Sequence, residues 1–123
     1  MSFLLTKQTN MKKIFTLFTM FITATFASAQ CHYVVDMQDS YGDGWNGASI
    51  DVSVNGATVA NMTCSGSGSV DSLETLNGDV VEFSFISGSW DSEITFDITD
   101  PSGAIILANG PAPTPGVFLT NTS

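Results

Sequence analysis

Nine consecutive residues, Asp39-Ser40-Tyr41-Gly42-Asp43-Gly44-Trp45-Asn46-Gly47, gather two carboxylates, a side-chain amide and a run of backbone carbonyls. Three of the nine are glycine, which lets the chain fold back on itself. Calcium takes about six to eight oxygen ligands from such mixtures of carboxylate and carbonyl. The stretch holds no thiol or imidazole, so zinc and copper suit it poorly. An EF-hand fits only its first half: with Asp39 as position one, position three is Tyr41 and position twelve is Ile50, where a bidentate Glu is required. Further ligands must therefore come from elsewhere in the chain. Glu93, in the segment Trp90-Asp91-Ser92-Glu93, is the remote acid expected to complete a set of Asp39, Asp43 and Asn46. Asp36, Asp91 and Asp97 stand behind it as alternatives. The competing explanation is a turn network in which Asp39 and Asp43 accept backbone N–H groups.

Tyr41, Trp45 and Trp90 could form an aromatic platform for sugar rings, with calcium holding the loop beneath them. Alternatively, the tryptophans cap the end of an apolar core. Catalysis finds little footing: there is one His and no nucleophile with an evident base. Asp43 and Glu93 could in principle act as a glycosidase pair. A domain of this size leaves little room for a deep substrate cleft, and the expectation is no enzyme.

The elements that must carry these residues are strands. After residue 30 no helical period appears, and Gly, Ser, Thr and Asn fill the connections. Strands are predicted at about 32–38, 48–54, 59–64, 69–76, 79–86, 92–99, 104–107 and 117–119. Their inward faces carry Tyr33, Val35 and Met37; Ile50, Val52 and Val54; Val81, Phe83 and Phe85; and Ile94, Phe96 and Ile98. Asn55-Gly56 and Asn77-Gly78 both read as hairpin turns. Asp100-Pro101-Ser102-Gly103 fits a type I turn. Seven or eight short strands with one apolar face each imply an all-β, antiparallel two-sheet sandwich, jelly-roll-like, with a closed barrel as the second choice.

Before these strands lies a leader. Lys12 and Lys13 follow Met11, then come an apolar run from Ile14 to Phe26 and the small residues Ala27-Ser28-Ala29. That order marks a signal peptide over residues 1–29, with Met11 as the expected true start. The apolar run is short for a transmembrane helix, which needs about 20 residues. A lipoprotein is disfavoured because Gln30, rather than a small residue, precedes Cys31. The expectation is an exported protein, secreted or held at the cell surface, with no membrane-embedded segment after cleavage. Residues 30–123 would form one module, and the ending Thr120-Asn121-Thr122-Ser123 fits a fragment of a longer protein.

The leader takes all three basic residues, Lys7, Lys12 and Lys13, with it. The remaining chain keeps all twelve acids, for a formal net charge of −12 in place of −9. Nucleic acid is excluded as a partner, because nothing is left to neutralise phosphate. Anionic membrane surfaces are excluded likewise. Carboxylates brought close together must be protonated or bridged by a cation, since only His32 or the new amino terminus could pair them. Scattered acids, by contrast, serve solubility alone. Cys31 and Cys64, an even pair in an exported domain, are expected to form one disulfide. Closing that loop would contribute roughly 3–4 kcal/mol in the chain-entropy model.

The strings DSYGDGWNGASIDV and, later, GSWDSEITFDITDPSGAII resemble the GDGWNG module of secreted, multidomain Bacteroidota proteins, from about Tyr33 to Ile106. The resemblance implies a β-sandwich repeat in exported surface proteins, many with a C-terminal sorting domain for type IX secretion. The functional expectation is a calcium-dependent binding or adhesion module directed at a glycan or at a surface or matrix protein. The alternative is a structural spacer that binds nothing.

Overall fold

The computed structural model describes residues 30–123, and the leader assigned to residues 1–29 lies outside the described residues. Eight strands form: β1 (Gln30–Asp39), β2 (Ser49–Val54), β3 (Ala57–Met62), β4 (Gly68–Leu76), β5 (Val80–Ile86), β6 (Ile94–Thr99), β7 (Ile105–Asn109) and β8 (Gly116–Thr122). A 3-10 turn, Asp91–Glu93, leads into β6. The strands pair antiparallel in two four-stranded sheets, ordered β4-β1-β6-β7 and β3-β2-β5-β8. Among the described residues no helix is long and apolar enough to cross a membrane.

Period-two alternation sets the inward faces, because successive side chains on a strand point to opposite sides. Tyr33, Val35 and Met37 of β1 join Ile50 and Val52 of β2, Val81, Phe83 and Phe85 of β5, and Ile94, Phe96 and Ile98 of β6 in one core, and all are buried. Each such side chain contributes about 1.5–3 kcal/mol by leaving water. An aromatic chain threads this core. Tyr33 packs edge-on to Phe83, Phe83 stacks on Phe118, Phe118 meets Phe96, and Phe96 and Phe85 both meet Trp45.

Asn55-Gly56 closes the β2–β3 hairpin with both residues at positive φ (51° and 85°), as a type I′ turn requires. Asp100–Gly103 closes the β6–β7 hairpin, with the Gly103 N–H donating to the Asp100 carbonyl at 3.0 Å. The Asn77-Gly78 turn departs from expectation. It is no hairpin, because β4 pairs with β1 and β5 pairs with β2, so this turn carries the chain from one sheet to the other. Only Gly78 of the pair takes a positive φ there.

The expected disulfide is not formed: Cys31 and Cys64 are free thiols. Cys31 is the second residue of β1, opposite Thr75, whereas Cys64 Sγ donates to the carbonyl of Met37, near the other end of the same strand. Met37 lies six steps along the strand from Cys31, about 20 Å at strand rise. A disulfide needs Cα atoms within roughly 7 Å. The fold is therefore held by its core and sheets without a covalent clasp between these residues.

Candidate functional site

The sheet pairing itself delivers the site. Asp39 ends β1 and lies opposite Ile94, the first residue of β6, so the residue before Ile94 is brought beside Asp39. That residue is Glu93, whose carbonyl accepts the Ser40 N–H at 3.0 Å. The 39–47 loop then folds over its own aspartate. Asp39 is only 3% exposed, and its carboxylate accepts N–H groups from Gly42 (3.1 Å), Asp43 (2.9 Å) and Gly44 (2.8 Å) on Oδ2, and from Tyr41 (3.4 Å) on Oδ1. This part of the anticipated turn network is therefore present. With three donors on Oδ2 and one long contact on Oδ1, the latter oxygen keeps acceptor capacity.

The loop is pinned from three sides. Asp39 N–H donates to Ser67, Gly44 N–H to Gly66 and Trp45 N–H to Cys64. Those carbonyls belong to the segment after β3, whose Ser-Gly repeat suggests only a flexible connection. On the opposite side Ser89 N–H donates to the Asn46 carbonyl. Gly88 lies so close that a Cβ there would collide with the Ala48 amide, so no larger residue fits between the two loops. From below, Trp45 acts as a nail. It is 1% exposed, packs against Phe85 and Phe96 and donates its indole N–H to the Gln38 carbonyl at 3.1 Å.

Asp39, Asp43 and Glu93 come together, each offering one carboxylate oxygen within 4.8 Å of the others. Their charges act on one another. Glu93 is pushed above its ordinary value, first by burial and then by the charges of Asp39 and Asp43. Burial works in the same sense on Asp39, but hydrogen bonding to Asp43 and to the N–H groups of Tyr41, Asp43 and Gly44 outweighs it, and the net shift is downward. Glu93 Oε2 is buried with no hydrogen-bond partner. A buried carboxylate oxygen without a donor is costly, and next to two further carboxylates it is doubly so.

The other anticipated residues are placed differently. Asn46 donates its side-chain N–H to the Gly44 carbonyl at 3.1 Å and so braces the loop. Asp91 accepts the Ser87 hydroxyl and the Gly88 N–H, which shapes the loop before Glu93. Asp36 and Asp97 sit directly opposite each other on β1 and β6, on the outward face of their sheet. Trp45 is core, so the expected three-ring platform reduces to two rings. Tyr41 (76% exposed) and Trp90 (56% exposed) flank a depression of about 250 Å3 whose remaining walls are Asp43 and Glu93.

Comparison of the chain with family models, with curated proteins and with solved structures gives no match. All three clustered donors are carboxylates, the hard oxygen type that calcium prefers over softer metals. Three carboxylates supply three to about six oxygens depending on denticity, and loop carbonyls or water can supply the rest. The orphaned Glu93 oxygen is the place where a cation would restore a missing partner. The residues thus fit calcium.

Proposed function

We propose that the protein is an exported, calcium-dependent binding module of the adhesion type, related to the GDGWNG modules of surface proteins, with its ion held by Asp39, Asp43 and Glu93. The observation that carries this reading is the buried, donor-less Oε2 of Glu93 beside two more carboxylates, in a domain whose described residues include no Lys or Arg. The one ion-pair contact among these residues is His32 with Glu74 at 4.0 Å, on the outward face of β1 and far from the loop. Bound calcium would supply two positive charges where the carboxylates repel, and would fix the 39–47 loop. Asp39 would orient the loop through its four N–H bonds, Glu93 would tie the start of β6 to it, and Asp43 would close the open side. The leader-like residues 1–29 support export, and the exposed Tyr41 and Trp90 beside the ion support ligand binding at this end of the sandwich.

One observation favours a second reading. Asp39 already has its backbone donors, so the loop has an internal means of support. On that reading the domain is a spacer and the acids only keep it soluble.

Calorimetric calcium titration, with thermal melts in calcium and in EDTA, separates the two. A bound ion at one hundred times its Kd adds about 2.7 kcal/mol of stability. Binding of one calcium and a melt lowered by EDTA are expected. A melt that EDTA leaves unchanged assigns the domain to the spacer class.

A further inference from the structure

Eight aromatic residues lie between residues 30 and 123, and their distribution is uneven. Tyr33, Trp45, Phe83, Phe85 and Phe96 are buried, and Phe118 is half-buried against them. Only Tyr41 and Trp90 of these eight are exposed, and both border the same depression, on two different loops, together with Asp43 and Glu93. Trp90 leads into the 3-10 turn that carries Glu93, and the Glu93 N–H donates to the Trp90 carbonyl at 3.1 Å. Tyr41 is similarly tied, because its N–H faces the Asp39 carboxylate. Each exposed ring is thus carried on backbone that hydrogen-bonds a member of the carboxylate cluster: the Tyr41 N–H to the Asp39 carboxylate, the Trp90 carbonyl to the Glu93 N–H.

We propose that the ligand of this depression is a neutral glycan, whose ring packs on Trp90 and Tyr41 while adjacent hydroxyl oxygens enter the coordination of the calcium held by Asp39, Asp43 and Glu93. The inference rests on the calcium reading above and specifies what that site takes. A ligand here must meet three conditions at once. It must present an apolar face to exposed aromatic rings, whose faces carry negative potential that favours the slightly positive C–H groups of a pyranose. It must bring neutral oxygen donors, because three carboxylates leave part of the six-to-eight-oxygen shell of calcium open. It must also carry hydroxyl hydrogens for the carboxylate oxygens that the ion leaves free.

An anionic sugar meets the first two conditions but is repelled. Three carboxylates and one calcium leave the site negative, within a domain of net charge −12. A polycationic or purely apolar ligand has no use for the open calcium positions. The depression is smaller than a typical drug-sized pocket of about 300–1,000 Å3, which suits a single terminal ring.

The test applies the fluorescently labelled protein to an array of neutral, sialylated and sulfated glycans, in calcium and in EDTA. Free methyl glycosides of the bound terminal sugar serve as competitors. Trp90→Ala and Tyr41→Ala are run in parallel, with calcium binding of each variant measured by calorimetry. Both side chains are exposed, so the fold and calcium binding are expected to survive. The expected result is calcium-dependent binding of neutral glycans, reduced at least tenfold in each variant and abolished in the double variant. Four results overturn the proposal while leaving calcium binding intact: a blank array, binding only of sialylated or sulfated glycans, binding that persists in EDTA, and binding that survives the double substitution. If the protein takes up no calcium, the calcium reading fails first, and this proposal falls with it.

Discussion

At the turn end of the sandwich Asp79 and Asp100 find donors in their own neighbourhood, whereas at the loop end Asp39, Asp43 and Glu93 find one another. Asp79 accepts the Leu76 N–H and the Asn55 side-chain amide, both at 2.9 Å, while Asn55 Oδ1 takes the Val80 N–H. Asp100 accepts the Ser102 hydroxyl and N–H and the Ala104 N–H. Both acids are held below their ordinary values by these bonds: Asp79 by Leu76 first and then Asn55, Asp100 by the Ser102 hydroxyl first. Asp39 is satisfied in the same manner, yet the sheet pairing that positions it also brings in Glu93, and the loop adds Asp43. The outcome for Glu93 is the reverse, a shift upward and an oxygen without a donor. The same residue chemistry gives a completed turn at one end and, at the other, a site that lacks a counter-charge.

The largest expected effect lies under the loop end. Trp45→Ala removes the ring that joins the loop to Phe85 and Phe96 and should cost about 3–5 kcal/mol, read by urea unfolding. A loss below about 1 kcal/mol would mean that the loop end stands without its aromatic support. Next comes Asp43→Asn, which keeps the shape of the loop while removing one of three charges. It should shrink the calcium-dependent rise in melting temperature without changing the melt in EDTA by as much. An undiminished rise would remove Asp43 from the ligand set.

Most of the frame is legible in the amino-acid sequence, for a physical reason. Strands such as Ile50–Val54 and Val81–Phe85 alternate strictly because one face is dry, and that alternation is written in the chain. Asn55-Gly56 marks a hairpin because both residues tolerate positive φ. Asn77-Gly78 has the same composition, but a dipeptide describes only local backbone and carries no information about which strands pair beyond it. Cysteine parity likewise says nothing of distance, and β1 holds Cys31 and the neighbour of Cys64 at opposite ends. Trp45 and Trp90 sit in loops, where no period separates inward from outward, so only packing reveals that one is core and the other surface. Glu93 is legible as an acid in the right segment. Its meeting with Asp39 follows from the β1–β6 register, which no local pattern encodes.

Smaller effects sharpen the contrast from the turn end. Asn55→Ala removes two hydrogen bonds, each worth about 0.5–1.5 kcal/mol, and puts Ala at a positive φ it disfavours, so it should lower stability equally in calcium and in EDTA. A calcium-dependent difference for this variant would show that the two ends are not independent. Because hydrogen bonding holds Asp79 and Asp100 below their ordinary values, their ionised forms favour the fold above the ordinary aspartate range. Their contribution is lost as pH falls through the lowered values. Asp79→Asn should therefore flatten the acid side of the stability profile measured in EDTA, and an unchanged slope would contradict the assigned role. The smallest change is expected on the sheet face, where Asp36 and Asp97 oppose each other. Asp36→Asn should stabilise the protein by about 0.2–1 kcal/mol, since like charges directly across a pair are unfavourable. Destabilisation would show that the pair is held by something other than repulsion.

Glu93→Gln tests the central claim most directly, by calorimetric melting of the parent protein and the variant in EDTA and in calcium. Burial and the charges of Asp39 and Asp43 push Glu93 above its ordinary value, so in the absence of metal its ionised form opposes folding as pH rises from the ordinary carboxylate range to neutrality. The account predicts an inversion at neutral pH: the variant melts above the parent in EDTA, where a repelling charge has gone, and below it in calcium, where a ligand has gone. A variant that melts at or below the parent in EDTA, and responds to calcium as the parent does, would contradict it.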